Sequence, residues 1–347
     1  MCGLAGIVGE VDLMEQVLLH MSAAQNHRGK ETPNSWVSSF IDARVGLMHN
    51  RMKTIDMAVA PKQPFEDNDT GLVVMLDGEI FNYEDVRRQL ENYYSFTTRG
   101  MCEVITKAYD RWGDGCFDRF EGYFSIVIYN RWSEELLLCR DRFGIKPLYY
   151  ATQRGNLFFA SEIKALFAGG IRPLLSAERW ASYLAYSTYG SPYETWEGVH
   201  QLPAGFLLHY NGYSLVEKRW YEFEKRVSLW SEESPERLPE AFLEQMHRSV
   251  GYSLMGEMEK GLSLNGSLES ALFISLMKEI GLPRSLKSYM HYRGKLHQSG
   301  VLWSAEMLAE TPLPMEQVKI TKSMLLKELD YLARWQEEPI DGLNTIT

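Results

Sequence analysis

Two short stretches of the chain carry residue types suited to chemistry. The first is Met1-Cys2-Gly3. A small second residue permits removal of Met1, which exposes Cys2 with an α-amino group. That amine, with an ordinary pKa of about 7.7–8.0, can act as a base near neutral pH. A thiol is nucleophilic as its thiolate, so acyl transfer calls for a base beside it. One residue thus supplies nucleophile and base together. The second stretch is Lys260-Gly261-Leu262-Ser263-Leu264-Asn265-Gly266-Ser267-Leu268-Glu269-Ser270-Ala271. It reads as strand, loop and helix, an order that suits anion binding because loop N–H groups and a helix N-terminus point at the ligand. Each stretch also has a plain structural reading: an incidental small residue after Met1, and an Asn-Gly-Ser turn.

The elements that would hold these stretches differ between the two halves. In the first half, Leu4–Val8, Gly71–Leu76, Phe124–Tyr129 and Glu135–Cys139 read as buried strands, with helices near 12–25, 83–91 and 102–112. Strand runs adjacent in sequence predict an α+β layered domain with antiparallel sheets. The segment 216–237, rich in charge and Trp, reads as a connection. After it come helix 238–254, strand 261–264, helix 268–280, strand 286–291, helix 300–310, strand 316–320 and helix 322–336. Gly281, Pro283 and Arg284 break the run between the second helix and the next strand. That alternation predicts an α/β unit with a parallel sheet and right-handed crossovers. The domains are therefore 2–215 and 238–347.

Bulk properties narrow the function classes. With 347 residues there is length for two cores, and a net charge of -10 argues against a nucleic-acid partner. No apolar run of about 18 residues predicts a membrane span. Cys2, Cys102, Cys116 and Cys139 lack metal or redox spacing and read as thiols of a reducing cytoplasm. The histidines lack metal-ligand spacing. Trp180 to Trp196, with Tyr183, Tyr186, Tyr189 and Tyr193, reads as core and interface packing.

A series of blocks follows Cys2-Gly3-Leu4-Ala5-Gly6: His27-Arg28-Gly29, His49-Asn50-Arg51, Asp77-Gly78-Glu79-Ile80-Phe81-Asn82, Arg140 to Tyr150, Ala160 to Leu166, and Leu202-Pro203-Ala204-Gly205. The series resembles class II glutamine amidotransferases, and within them the glutamine-hydrolysing asparagine synthetase branch. The resemblance covers about 2–215 well and 238–347 more weakly. It implies an Ntn-hydrolase-like αββα sandwich, then an ATP-pyrophosphatase-like domain that is incomplete at its C-terminus. Gln336-Glu337-Glu338-Pro339-Ile340 resembles a segment midway through that domain, and the chain stops at Thr347.

The resemblance also implies roles. Cys2 is the nucleophile, Arg51 holds the glutamine α-carboxylate as a bidentate fork, and Gly78 and Glu79 line the substrate. Asp77 stands where the family has an Asn that donates to the oxyanion. An ionised Asp cannot donate, and loss of one such donor costs about 10²–10³ in turnover. Met101 stands where the family has an Asp that pairs with the glutamine α-ammonium. Leu264, Asn265, Gly266, Ser267, Glu269 and Ser270 stand at the ATP loop, with Glu269 as the magnesium ligand. Asn265, Ser267 and Glu269 replace the family's Ser, Gly and Asp. Ser267 adds a Cβ where backbone must approach closely.

The expected activity is that of a glutamine-dependent amide-forming ligase of asparagine biosynthesis, using ATP and Mg2+ on a carboxylate or peptide acceptor, with room for a homodimer. Asp77 and Met101 favour a second reading, a glutamine-independent ligase like the lasso-peptide cyclases or β-lactam synthetases. The combined departures at both stretches favour a third, a non-catalytic binding or regulatory homologue, and ammonia release without product formation would leave a stand-alone glutaminase.

Overall fold

Runs in which every residue is apolar suit strands covered on both faces. In the computed structural model they form two six-stranded antiparallel sheets. The structure describes residues 2–38, 45–52, 62–186, 196–230, 234–256, 259–283, 286–292, 299–309, 311 and 313–337. A first compact unit runs to Phe223. It opens with β1 (Gly3–Val8), α1 (Met14–Ala24), β2 (Asn34–Val37), β3 (Val45–Asn50), β4 (Phe65–Asp67) and β5 (Leu72–Ile80). Then come α2 (Tyr83–Leu90), α3 (Met101–Trp112), β6 (Gly122–Asn130), β7 (Glu135–Arg140), β8 (Tyr149–Gln153) and β9 (Asn156–Ala160). It closes with α4 (Ile163–Ala168), α5 (Ala177–Tyr186), β10 (Val199–Gln201), β11 (Phe206–Tyr210) and β12 (Leu215–Arg219). One sheet has the order β10-β8-β9-β1-β3-β2, the other β12-β11-β7-β6-β5-β4.

Alternation along each strand sorts side chains into layers. Leu4, Val8, Val45 and Leu47 of the first sheet meet Val73, Met75, Val127 and Leu138 of the second. On the outer face of the first sheet, Ala5, Ile7 and Met48 pack on Leu18 and Met21 of α1 and Leu166 of α4. On the outer face of the second, Val74, Leu76, Ile126 and Ile128 pack on Val86, Leu90, Val104 and Ile105 of α2 and α3. The unit is an αββα sandwich, as expected for this half of the chain.

Two expectations need correction. The stretch 216–237 opens inside β12, which pairs with β11 over all of Leu215–Arg219. Of the packing expected for Trp180 to Trp196, Trp196 meets Phe167 edge-on at 5.0 Å, and Trp180 meets Tyr183 edge-on at 6.0 Å within a single exposed helix. Helix α5 buries none of its side chains, and Leu184 and Tyr186 are each 77% exposed. Tyr189 and Tyr193 lie outside the described residues.

The second unit starts at Glu224. Helix α6 (Phe223–Trp230) leads to α7 (Leu238–Ser253), β13 (Lys260–Leu264), α8 (Leu268–Ile280), β14 (Leu286–Tyr292), α9 (Ser299–Ala309), β15 (Met315–Lys319) and α10 (Lys322–Trp335). The three strands pair in parallel in that order, as the alternation predicts. Leu264 and Leu286 bury against Ile274 and Met277 of α8 and Leu308 of α9. Arg284 and residues 338–347 lie outside the described residues. No described helix is long and apolar enough to cross a membrane.

Candidate active site

Strand β1 begins at Gly3, so Cys2 sits at its mouth. The first turn of chain is fixed by hydrogen bonds from three directions. Ser161 Oγ accepts from Leu4 N at 2.9 Å, Gln25 Nε2 donates to Leu4 O at 2.9 Å, and Arg28 Nε donates to Cys2 O at 2.8 Å. Because Gly3 pairs with Asn50, the chain just past β3 runs beside Cys2. Met52 N donates to Cys2 Sγ at 3.4 Å, and Sγ lies 3.8 Å from Met52 O. Arg51, the preceding residue, has Nε 3.9 Å from Glu31 Oε2.

Strand β5 supplies the opposite wall. Cys2 N donates to Asp77 Oδ1 at 2.9 Å. Asp77 has no exposed surface, and its carboxylate is enclosed by cations: Arg28 Nη2 at 2.8 Å from Oδ2 and Lys146 Nζ at 3.4 Å from Oδ1. An unpaired buried carboxylate would carry a desolvation penalty of several kcal/mol, so these partners are what permit it here. Gly78 holds φ +136°, and a Cβ there would lie 2.0 Å from Tyr123 O, so the position admits no side chain. Tyr123 Oη donates to Glu79 at 3.1 Å. Ile80 N donates to Met101 Sδ at 3.5 Å, and Met101 packs against the apolar layer under β5.

The motif Arg140 to Pro147 has a clear structural task. Asp141, 1% exposed, accepts from the N–H groups of Phe124, Phe143, Ile145 and Lys146, the last at 2.9 Å. The Arg140 guanidinium donates to the carbonyls of Gly144, Lys146 and Leu202, each at 2.7 Å. Together they curl the loop that delivers Lys146 to Asp77. Glu162, at the start of α4, completes the cluster. Its Oε1 accepts from Arg28 Nη1 at 3.2 Å and lies 2.8 Å from His27 Nε2, while Lys164 Nζ lies 2.7 Å from Oε2.

These contacts set the electrostatics. Burial first, and the Asp77 charge second, push the Cys2 thiol above its usual pKa. Burial alone would lower the Arg28 guanidinium, but Asp77 and Glu162 outweigh it and hold it firmly protonated. Burial lowers His49 to about 4, so its imidazole is neutral and its Nε2–H donates to Leu76 O at 3.3 Å. Burial also raises the Cys102 thiol, which keeps it inert.

The structure brings Cys2 against Asp77, with Gly78 and Glu79 following on β5 and Arg51 preceding the Met52 that meets the thiol, while Met101 contacts Ile80 three positions beyond Asp77. Arg28, Lys146 and Glu162 were not singled out from the sequence, although each stands in one of the blocks quoted above. Their charge pairing is a long-range property that spacing does not show.

The second stretch forms the strand–turn–helix that its pattern predicts. Gly266 takes φ +76° and Ser267 caps α8. Asn265 Oδ1 accepts from Ser267 N at 3.0 Å and Ser270 Oγ at 2.9 Å, and Ser267 Oγ accepts from Ser270 N at 3.4 Å. Two N–H groups that a phosphate would need are already satisfied within the loop. Leu264 is buried in the core, and Glu269 is fully exposed and bonded to Ser267, which lowers its pKa. The loop as it stands does not fit ATP with Mg2+. Among the described residues no three His, Cys, Asp or Glu side chains are placed to share a metal.

A two-sheet αββα sandwich with a cysteine at the mouth of its first strand is the scaffold of an amidotransferase domain. The chain belongs to the glutamine amidotransferase domain family, whose model matches residues 1–221. It is 33% identical over 294 residues to asparagine synthetase [glutamine-hydrolyzing] 2 of Bacillus subtilis, covering 78% of this chain and 38% of that protein. It is 26% identical over 346 residues to amidase chry2 of Gibberella zeae, covering 92% of this chain and 49% of that one. The chain therefore spans half or less of the length of these relatives. A solved structure of the B. subtilis glutamine phosphoribosylpyrophosphate amidotransferase aligns with a TM-score of 0.48 at 14% identity, over 94% of this chain and 70% of that one.

Proposed function

We propose that this chain releases ammonia from glutamine at Cys2 and supplies it to an amide-forming step on a carboxylate already activated as an acyl donor, as in asparagine-synthetase-like ligases. The observation that carries this reading is the seat of Cys2. Its thiol lies against the Met52 backbone beside Arg51, and its nitrogen faces the Asp77-Gly78 end of β5. In this reading Cys2 Sγ attacks the glutamine side-chain carbonyl. The amide nitrogen leaves as ammonia with a proton from the Cys2 amine, and water hydrolyses the glutamyl thioester to glutamate. Arg51 takes the substrate carboxylate. No step is assigned to ATP, because the 264–270 loop does not fit it.

A second reading, a glutamine-independent or non-catalytic homologue, is favoured by one observation. Asp77 is a buried carboxylate between Arg28 and Lys146, where oxyanion stabilisation calls for a donor. The deciding experiment measures glutamate release from glutamine after intact mass has confirmed loss of Met1, with Cys2→Ala as control. Release that Cys2→Ala abolishes supports the first reading. Absence of release from folded, Met1-processed protein refutes it and leaves the second.

A further inference from the structure

The atom that donates to Asp77 Oδ1 at 2.9 Å is the Cys2 backbone nitrogen. Once Met1 is removed, that same atom is the α-amine. It then enters a site already holding two fixed cations, Arg28 at 2.8 Å and Lys146 at 3.4 Å from the Asp77 carboxylate. Those cations alone would expel a proton from the amine. A carboxylate at hydrogen-bond distance, with no solvent exposure to screen it, acts in the opposite sense.

We propose that Asp77 is the counter-ion of the Cys2 α-ammonium, so that the amine rests protonated at neutral pH and serves as base only once rising pH strips that proton. On the proposed glutamine chemistry, which this inference deepens, Asp77 is a positioning residue that sets the pH at which turnover begins.

The other charged and titratable groups facing the site leave this balance in place. His49 of β3 is neutral, and Arg51 lies beside Glu31. Glu162 draws on Arg28, His27 and Lys164, which leaves Asp77 the carboxylate that meets the Cys2 nitrogen. Glu79 is held by the Tyr123 hydroxyl, and Cys102 of α3 stays a neutral thiol. Burial and Asp77 also raise the Cys2 thiol, so the resting pair is thiol and ammonium.

The test is the pH profile of trace acetic-anhydride labelling of the α-amine in Met1-processed Cys2→Ala protein, read by mass spectrometry. The expected midpoint lies at least about one pH unit above the ordinary value near 8, a tenfold shift in the protonation equilibrium. Adding Asp77→Asn should lower the midpoint by at least as much, and adding Lys146→Gln should raise it. An unchanged midpoint in the Asp77→Asn protein overturns the proposal. Should that protein not fold, failure of Lys146→Gln to raise the midpoint does the same. In the wild type, glutamate release should rise with pH through the labelling midpoint. Absence of release at every pH would sink the glutamine reading alone, because the labelling midpoint decides the counter-ion independently.

Discussion

Arg28 and Asp77 form a buried ion pair at 2.8 Å, with side chains 5% and 0% exposed, and the same guanidinium binds Glu162 and the Cys2 carbonyl. All three nitrogens of one fork are used to fix Cys2, the wall opposite it and the start of α4. Arg28→Met would leave two buried carboxylates short of a cation. Removing one partner of a buried pair costs about 3–5 kcal/mol. Urea unfolding of the Arg28→Met protein should show a loss of that order; a loss under about 1 kcal/mol would mean that Lys146, His27 and Lys164 compensate.

His49 gives the sandwich an acid sensitivity. The unfolded chain binds a proton below about 6.5, and the folded chain binds one only below about 4. Stability is therefore full above pH 6.5 and falls as pH drops from there to about 4, by on the order of 3 kcal/mol from this group. Stability measured by urea at pH 7 and pH 4.5 should differ less in His49→Gln than in the wild type. An equal difference in both proteins would show that His49 is not the source.

Asp114 adds to this acid sensitivity at lower pH. A hydrogen bond with His209, then Lys218 at 2.7 Å, hold it at about 2. Its contribution is present above the unfolded carboxylate pKa near 4 and is lost as pH falls toward about 2. An NMR titration should place the Asp114 midpoint near 2 in the wild type and move it upward in His209→Ala. A midpoint that ignores the substitution would leave Lys218 as the controlling group.

At Gly78, alanine faces both a φ of +136° and a carbonyl 2.0 Å from its Cβ. Strain of this kind costs about 1–3 kcal/mol before the backbone moves. Thermal unfolding of Gly78→Ala should fall by several degrees, with loss of any Cys2-dependent activity; unchanged values would mean that β6 yields.

Met101 presents sulfur to Ile80 N, and on the glutamine reading it leaves the α-ammonium without a partner. Met101→Asp should then lower the KM for glutamine about tenfold with kcat little changed, the pattern of uniform binding. A KM that stays put would remove Met101 from the substrate site.

The long elements were legible in the chain. Leu4–Val8, Phe124–Tyr129 and the helices and strands from α7 to α10 fall where apolar periodicity puts them, within a few residues, whereas α6 lies in the stretch read as a connection. Strands such as β3 and β8 were not, because His49, Asn50, Thr152 and Gln153 interrupt their apolar pattern while the sheet still pairs them. At the site, Cys2 stood out by residue type and position, and Asp77 by standing where the resembling family has Asn. What could not be read was the charge around them. Arg28, Lys146 and Glu162 are 49, 69 and 85 positions from Asp77, and only the folded sheets bring them within reach. The Asn265 loop shows the converse: its resemblance to a phosphate cradle is visible in sequence, and the internal hydrogen bonds that occupy it are not.

Strand β5 pairs with β6 across nine consecutive positions, Leu72 with Asn130 through Ile80 with Gly122. Val73 and Met75 look toward the other sheet, Val74 and Leu76 toward the helices, and Asp77 shares the parity of the first pair. The strand therefore behaves as a ratchet with a two-residue tooth. A single inserted or deleted residue upstream would swing Asp77 away from Cys2 and bring an uncharged neighbour in its place, even with every sheet contact nominally kept. Segments exchanged between this chain and its relatives should preserve the odd–even count from Leu72 to Asp77, and swaps that break it should yield folded proteins in which Cys2 faces no carboxylate.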